Sequence, residues 1–186
     1  MSHGNTALIV IDVQESFRHA PYWKTDDLPV FLDRQQALID GAKAAGIPIA
    51  QIFHTDSDAA FRLDSGYVRT LQELRIEPDA VFHKTRHSAF VGTPLHVWLT
   101  ERGINRLIIS GIRTEQCCET TTRHAADSGY AVDFVTEATL TFPMTHASGA
   151  VFSAADIKIR TELVLARRFA RIATVEQALN LPAEAA

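Results

Sequence analysis

The chain has little that would grip nucleic acid, enter a membrane or cross-link itself. Its 18 lysines and arginines are outnumbered by 22 aspartates and glutamates, a net charge of −4, so a basic footprint for nucleic acid or an anionic lipid surface is missing. No apolar run approaches the ~18 residues that cross a bilayer, and the opening Met-Ser-His-Gly-Asn-Thr lacks the basic-then-apolar order of a secretory leader. Neither nucleic acid nor membrane is expected as a partner, and a cytoplasmic location is. Only two cysteines occur, Cys117 and Cys118, and they are adjacent, which excludes a disulfide framework and a spaced zinc motif and suits a reducing compartment. A glycine-rich phosphate loop is also missing. The turn after the first apolar run reads Asp12-Val13-Gln14-Glu15-Ser16-Phe17, which gives a pyrophosphate no close backbone approach and argues against a nucleotide-dependent dehydrogenase.

What is present is an ordinary globular composition, 46% hydrophobic and 22% charged, without repeats, low-complexity stretches or linkers. A single domain over 1–186 is expected. Continuous, β-branched apolar runs at 7–11, 49–53, 80–83, 107–112, 131–136 and 171–173 have the character of parallel strands buried on both faces. Between them lie helical patterns at 28–45, 94–102, 116–128, 154–169 and 175–181, several stopped by Gly46, Gly103 and Gly129. Strands alternating with helices predict an α/β, three-layer, doubly wound fold with a six-stranded, mostly parallel sheet. The polar connection over 54–66 is long for a compact domain and reads as a pocket lid. The helix at 154–169 carries Ile157, Leu163, Val164, Leu165 and Phe169, more apolar surface than covering a sheet requires, so a homo-oligomer is expected.

Right-handed crossovers bring the carboxyl ends of parallel strands to one edge, where ligand crevices form. Asp12 and Lys84 directly follow strand candidates, and Cys117 opens the helix after the fourth, so a carboxylate, an ammonium and a thiol converge. That is the minimum set for thiol-based hydrolysis of an amide: sulfur attacks a carbonyl, the carboxylate takes the thiol proton, and the ammonium steadies charge. Helical phase separates the cysteines. Cys118 shares a stripe with Thr122, Ala125 and Gly129 and reads as a packing residue, whereas Cys117 shares one with Thr121, His124 and Ser128. At a helix N-terminus and near a lysine, the Cys117 thiol is expected to have a lowered pKa. Backbone N–H groups from Ile112 to Cys117 are candidates for an oxyanion hole. Arg113, alone or with Arg86, is a candidate for a substrate carboxylate, with a surface salt bridge as the plainer reading. Phe17, Phe53, Phe90 and Phe142 are candidate pocket walls or core residues, with Phe17, Phe90 and Arg113 favoured for the pocket. Trp23 and Tyr67 are candidates for a lid. No metal ligand set is read among His83, His87, His124 and His146, and no cofactor is expected.

These residues resemble the isochorismatase-like cysteine hydrolase superfamily, which includes nicotinamidases, N-carbamoylsarcosine amidohydrolase, ureidoacrylate hydrolases and isochorismatase. The resemblance rests on Leu-Ile-Val-Ile-Asp-Val-Gln-Glu-Ser-Phe at 8–17, on Lys84 with Ser88-Ala89-Phe90 and Gly92-Thr93, and on Gly111, Thr114, Cys117, Glu119, Thr120 and Arg123 before Asp127-Ser128-Gly129-Tyr130. It covers most of the chain. It implies a six-stranded parallel sheet, an Asp12–Lys84–Cys117 triad, and an oxyanion hole beside a peptide bond that is cis in relatives, here Ile112–Arg113. Two departures narrow the substrate. The metal-binding Asp-x-His and further His of nicotinamidases are replaced by His54-Thr55-Asp56-Ser57-Asp58, with no second histidine before His83. Isochorismatases tend to lack the nucleophilic cysteine. The leading expectation is a metal-independent cysteine hydrolase of a small amide or ureido compound, acting through a thioester. The alternatives are a vinyl-ether hydrolase using Asp12 and Lys84, and a non-catalytic small-molecule binder.

Overall fold

The computed structural model describes residues 5–57 and 59–180. In chain order its elements are β1 (Thr6–Ile11), α1 (Leu28–Ala44), β2 (Ile49–His54), β3 (Ala80–Lys84), α2 (Leu95–Glu101), β4 (Arg106–Ile112), α3 (Glu119–Asp127), β5 (Ala131–Leu140), β6 (Met144–Thr145), β7 (Val151–Phe152), α4 (Ala154–Leu165), β8 (Arg171–Ile172) and α5 (Val175–Leu179). Six strands form one sheet in the order β3-β2-β1-β4-β5-β8, every neighbouring pair parallel. The short β6 and β7 pair with each other as an antiparallel ribbon.

The period-2 alternation of a strand explains the three layers. Leu8 and Val10 of β1, with Ile108 and Ile112 of β4, join the core that contains Phe31, Leu38 and Ala42 of α1 and Ala178 of α5. Ala7, Ile9 and Ile11, with Leu107 and Ile109, join the opposite core with Leu95 and Leu99 of α2, Ala125 of α3 and Leu165 of α4. Both faces of the central strands are therefore dry, and each fully buried Leu or Ile contributes about 1.5–3 kcal/mol. In α1 the buried positions Phe31, Gln35, Leu38, Ile39 and Ala42 recur at helical spacing, and the helix ends where Gly46 takes φ +68°.

Several boundaries differ from the sequence expectation, among them the helix expected at 116–128, which begins at Glu119. The fifth strand runs on to Leu140, because its register against β4 shifts between Ile109 and Gly111 and the polar residues after Thr136 still pair. The helix expected to reach Phe169 ends at Leu165, where Ala166 turns extended and Arg167 adopts φ +64°. Phe169 keeps its apolar role by packing under the Arg123 guanidinium, 4.4 Å from the ring centre, which is why the pattern read as helix. The ribbon of β6 and β7 was not expected at all. The last helix ends at Leu179, and the expected Leu181 lies outside the described residues. Among the described residues no helix is long and apolar enough to cross a membrane.

Candidate active site

The strand order places β1 at the point where crossovers change face. α1 links β1 to β2 on one side, while α2 and α3 link β3 to β4 and β4 to β5 on the other. The crevice beyond the carboxyl ends of β1 and β4 is the position where open α/β sheets bind ligands. Asp12 emerges there at φ +52°, a left-handed conformation that Asp and Asn accept more readily than other side chains, with its N–H donated to the Ile52 carbonyl at 2.8 Å. Across the crevice, Gly111 takes φ +127°, and a Cβ there would sit 1.9 Å from the Ile11 carbonyl oxygen. Only glycine lets β4 lie this close to β1 just before the turn that carries Cys117.

Lys84 comes from the sheet edge, two strands and about 10 Å from β1. A long side chain is needed to bridge that gap. Its Nζ donates to Asp12 Oδ2 at 2.7 Å and to Cys117 Sγ at 3.3 Å, and lies 3.2 Å from His54 Nδ1. The Lys84 and Asp12 side chains have no exposed surface. Burial alone would push the lysine down, yet the charge of Asp12, reinforced by the Cys117 sulfur, holds it above the ordinary lysine value. The ammonium is thus kept charged by its partners, as a buried cation must be.

Cys117 lies in a widened turn, 114–118, in which Cys118 N–H reaches back five residues to the Arg113 carbonyl at 3.2 Å before α3 begins. Thr114 Oγ1 donates to Thr139 Oγ1 at 2.8 Å and Thr141 Oγ1 donates to Glu115 at 2.5 Å, so the extended end of β5 braces this turn. The Ile112–Arg113 bond before it is cis. The expected lowering of the Cys117 thiol pKa is overturned. Burial first, and then the Asp12 charge, push the thiol up, and the opposing pull of Lys84 does not prevail. The physical reason is charge balance. Asp12 and Lys84 already neutralise each other, so a thiolate would add a net negative charge to a dry site. Cys118 is fully buried with Thr122 and Ala125, but Gly129 of the same expected stripe is exposed and Cys117 and Thr121 of the other stripe are buried too, because both cysteines sit in the widened turn before α3.

The proton has a place to go. Asp12 Oδ1 is buried and has no well-formed hydrogen-bond partner among the protein groups, and the Asp12 charge bears on the Cys117 thiol. The other expected residues are arranged differently. Arg113 is 8% exposed, ion-paired with Glu115 at 2.9 Å and set 4.7 Å over the Tyr22 ring, so its charge is already engaged. Arg86 is exposed and donates to the Thr85 carbonyl. Phe17 meets Phe61 edge-on at 5.1 Å, and Phe61 meets His54, which links Phe17 to the site at second hand through the 54–66 connection. Phe90 stacks on His124 at 5.0 Å and lies 5.7 Å from Tyr130, along the distal turns of α3. Trp23 and Phe142 pack together 5.3 Å apart, and Tyr67 packs at a tilt against His19.

Three participants were missed in the sequence. His54 ends β2 as Lys84 ends β3 and Asp12 follows β1, so the same strand-end rule points to it. His87 is exposed, with Nδ1 3.8 Å from the Cys117 sulfur on the loop after β3. Gln14 is fully buried and clamps the His54 backbone, donating to its carbonyl at 3.0 Å and accepting from its N–H at 2.8 Å. Among the described residues, no group of three or more His, Cys, Asp and Glu side chains could hold a metal ion. Asp58 lies outside the described residues.

A family model for the isochorismatase domain matches residues 6–177. The chain belongs to the isochorismatase family. It is 29% identical over 152 residues to nicotinamidase 3 of Arabidopsis thaliana, covering 73% of each chain. Over a shorter stretch of 54 residues it is 48% identical to the ureidoacrylate amidohydrolase RutB of Enterobacter sp. (strain 638), 28% of this chain and 24% of that one. A crystal structure of an isochorismatase from Pseudomonas putida KT2440 superposes with a TM-score of 0.82 at 28% identity, covering 93% of this chain and 89% of that chain. This isochorismatase-family hydrolase has the parallel α/β fold of such neighbours.

Proposed function

We propose that this family hydrolase cleaves the C–N bond of a small amide or ureido compound through a thioester on Cys117. The reading is carried by one observation: the Lys84 ammonium bridges Asp12 and Cys117, with the Lys84 and Asp12 side chains wholly buried. As sulfur bonds to the substrate carbonyl carbon, its proton passes to Asp12. The oxyanion is received by backbone N–H groups of the turn formed by Ile112, Arg113 and Cys117. The C–N bond then breaks and Asp12 returns the proton to the departing nitrogen, releasing ammonia or an amine. In the second half, Asp12 takes a proton from water as its oxygen attacks the thioester. The C–S bond breaks, the acid departs, and the proton returns to sulfur. Lys84 keeps its proton throughout and offsets the negative charge that moves between carboxylate, sulfur and oxyanion. A raised resting thiol pKa suits this order, because proton transfer then accompanies attack and sulfur stays unreactive until a carbonyl arrives.

The test is Cys117→Ser assayed on a panel of small amides and ureido compounds for ammonia or amine release. Loss of release supports the reading. Retained hydrolysis of a vinyl ether by the same variant would move the assignment to ether cleavage by Asp12 and Lys84, and an inert wild-type protein on every substrate would leave a binder.

A homo-oligomer belongs to the same proposal. Met144, Val151 and Phe152 of the ribbon and Ile159 and Leu163 of α4 are exposed together around an apolar hollow of about 920 Å³ that Glu115 also lines. A two-stranded ribbon is marginal by itself, and the same apolar patch on a second copy would cover it in a two-fold contact.

A further inference from the structure

We infer that His54 is a positioning residue: its unprotonated Nδ1 takes the third N–H of the Lys84 ammonium, so that the other two stay aimed at Asp12 and Cys117. This rests on the cysteine-hydrolase reading above. A lysine ammonium has three donors and no acceptor. Here three acceptors surround it, Asp12 Oδ2 at 2.7 Å, His54 Nδ1 at 3.2 Å and Cys117 Sγ at 3.3 Å. With all three filled, the group cannot turn away from sulfur without leaving a buried N–H unpaired. An Nδ1 that accepts fixes the tautomer, placing the ring proton on Nε2, which faces Asp56 Oδ2 at 3.8 Å.

The surroundings of His54 favour that neutral form. Burial and then the Lys84 charge lower its pKa below 6.5, His87 adds to this, and Asp12 and Asp56 pull the other way without reversing it. Those are the charged groups facing it from β1, β3, its own segment and the loop after β3, with the Phe61 ring packed on its edge. The backbone of His54 is held by Gln14 independently of the ring, so the side chain can be changed while its segment stays in place.

The experiment pairs 15N NMR of the His54 ring in the wild-type protein with the rate of iodoacetamide alkylation at Cys117 in His54→Gln and His54→Leu at pH 8. The glutamine oxygen can accept from Lys84 but does not titrate, and leucine can do neither. We expect an Nε2-protonated tautomer at pH 7.5, alkylation of His54→Gln within about 3-fold of wild type, and alkylation of His54→Leu about 10-fold slower, one pKa unit of lost thiolate stabilisation. The wild-type rate should also carry an inflection below pH 6.5 that is absent from His54→Gln. A protonated Nδ1, equal rates for the two variants, or an inflection that persists in His54→Gln overturns the inference. None of these readouts uses a substrate, so they stand apart from any failure of amide hydrolysis.

Discussion

Two buried aspartates of the same sheet are treated in opposite ways. Asp133 on β5 accepts at Oδ1 from Arg171 Nε at 2.6 Å, and at Oδ2 from Arg171 Nη2 at 2.9 Å and Arg106 at 3.1 Å. Both of its oxygens are filled, and it ties β8, a strand of only two residues, to β5 and β4. Asp12 has as little exposure, but one oxygen is bound to Lys84 and the other has no well-formed partner among the protein groups. A carboxylate that serves the fold is saturated with donors. Asp12 instead meets a single cation, itself held in line by other acceptors, and leaves its second oxygen without a well-formed donor among the protein groups.

The comparison is broken most severely at the site. Cys117→Ser should lower kcat/KM for the cleaved amide by at least ~10³-fold with little change in thermal stability, and Asp12→Asn should lower it as much while also costing stability, because it leaves the buried Lys84 ammonium without its counter-charge; Asp133→Asn should leave kcat/KM within about 3-fold. Lys84→Met should cost about 3–5 kcal/mol in denaturant unfolding at neutral pH, because it strands Asp12 unpaired in a dry site. Gly111→Ala should cost more than ~4 kcal/mol or prevent folding, since the new Cβ meets the Ile11 carbonyl, and a melting curve checks it. Asp133→Ala should cost about 2–3 kcal/mol by the same denaturant measurement, discounted because both arginine partners are partly exposed.

The smallest effect is the alkaline limb of stability. Burial raises both thiols, so above pH ~8.5 the unfolded chain loses thiol protons that the folded chain keeps. The folded state then binds more protons than the unfolded one, and stability falls as pH rises. The melting temperature of Cys118→Ala should therefore decline less steeply between pH 8.5 and 10.5 than that of the wild type.

Much of the sheet and the three central residues were legible in the sequence, because long β-branched runs mark buried parallel strands and the strand-end rule needs no side-chain geometry. His54 obeyed that rule, yet it was absorbed into the polar run that follows it. The resting state of the Cys117 thiol was not legible. A lysine and a helix start argue for a low pKa, and only the observed burial beside an already balanced Asp12–Lys84 pair reverses that. For Arg113 the sequence left a substrate-carboxylate partner and a salt bridge both open, because Glu115 and Tyr22 reach it through the turn and a distant segment, and the structure shows the ion pair with Glu115. The ribbon of β6 and β7 has two residues per strand, too few for any periodicity to register.

The most direct test of the central claim is acid-quenched peptide mass spectrometry of the protein turning over a hydrolysed amide or ureido compound. The account predicts an acyl adduct confined to the peptide bearing Cys117 and Cys118, assigned to Cys117 by fragmentation, released by hydroxylamine and absent in Cys117→Ser. Steady hydrolysis of that compound by Cys117→Ser at the wild-type rate, with no adduct on the wild-type peptide, would contradict it.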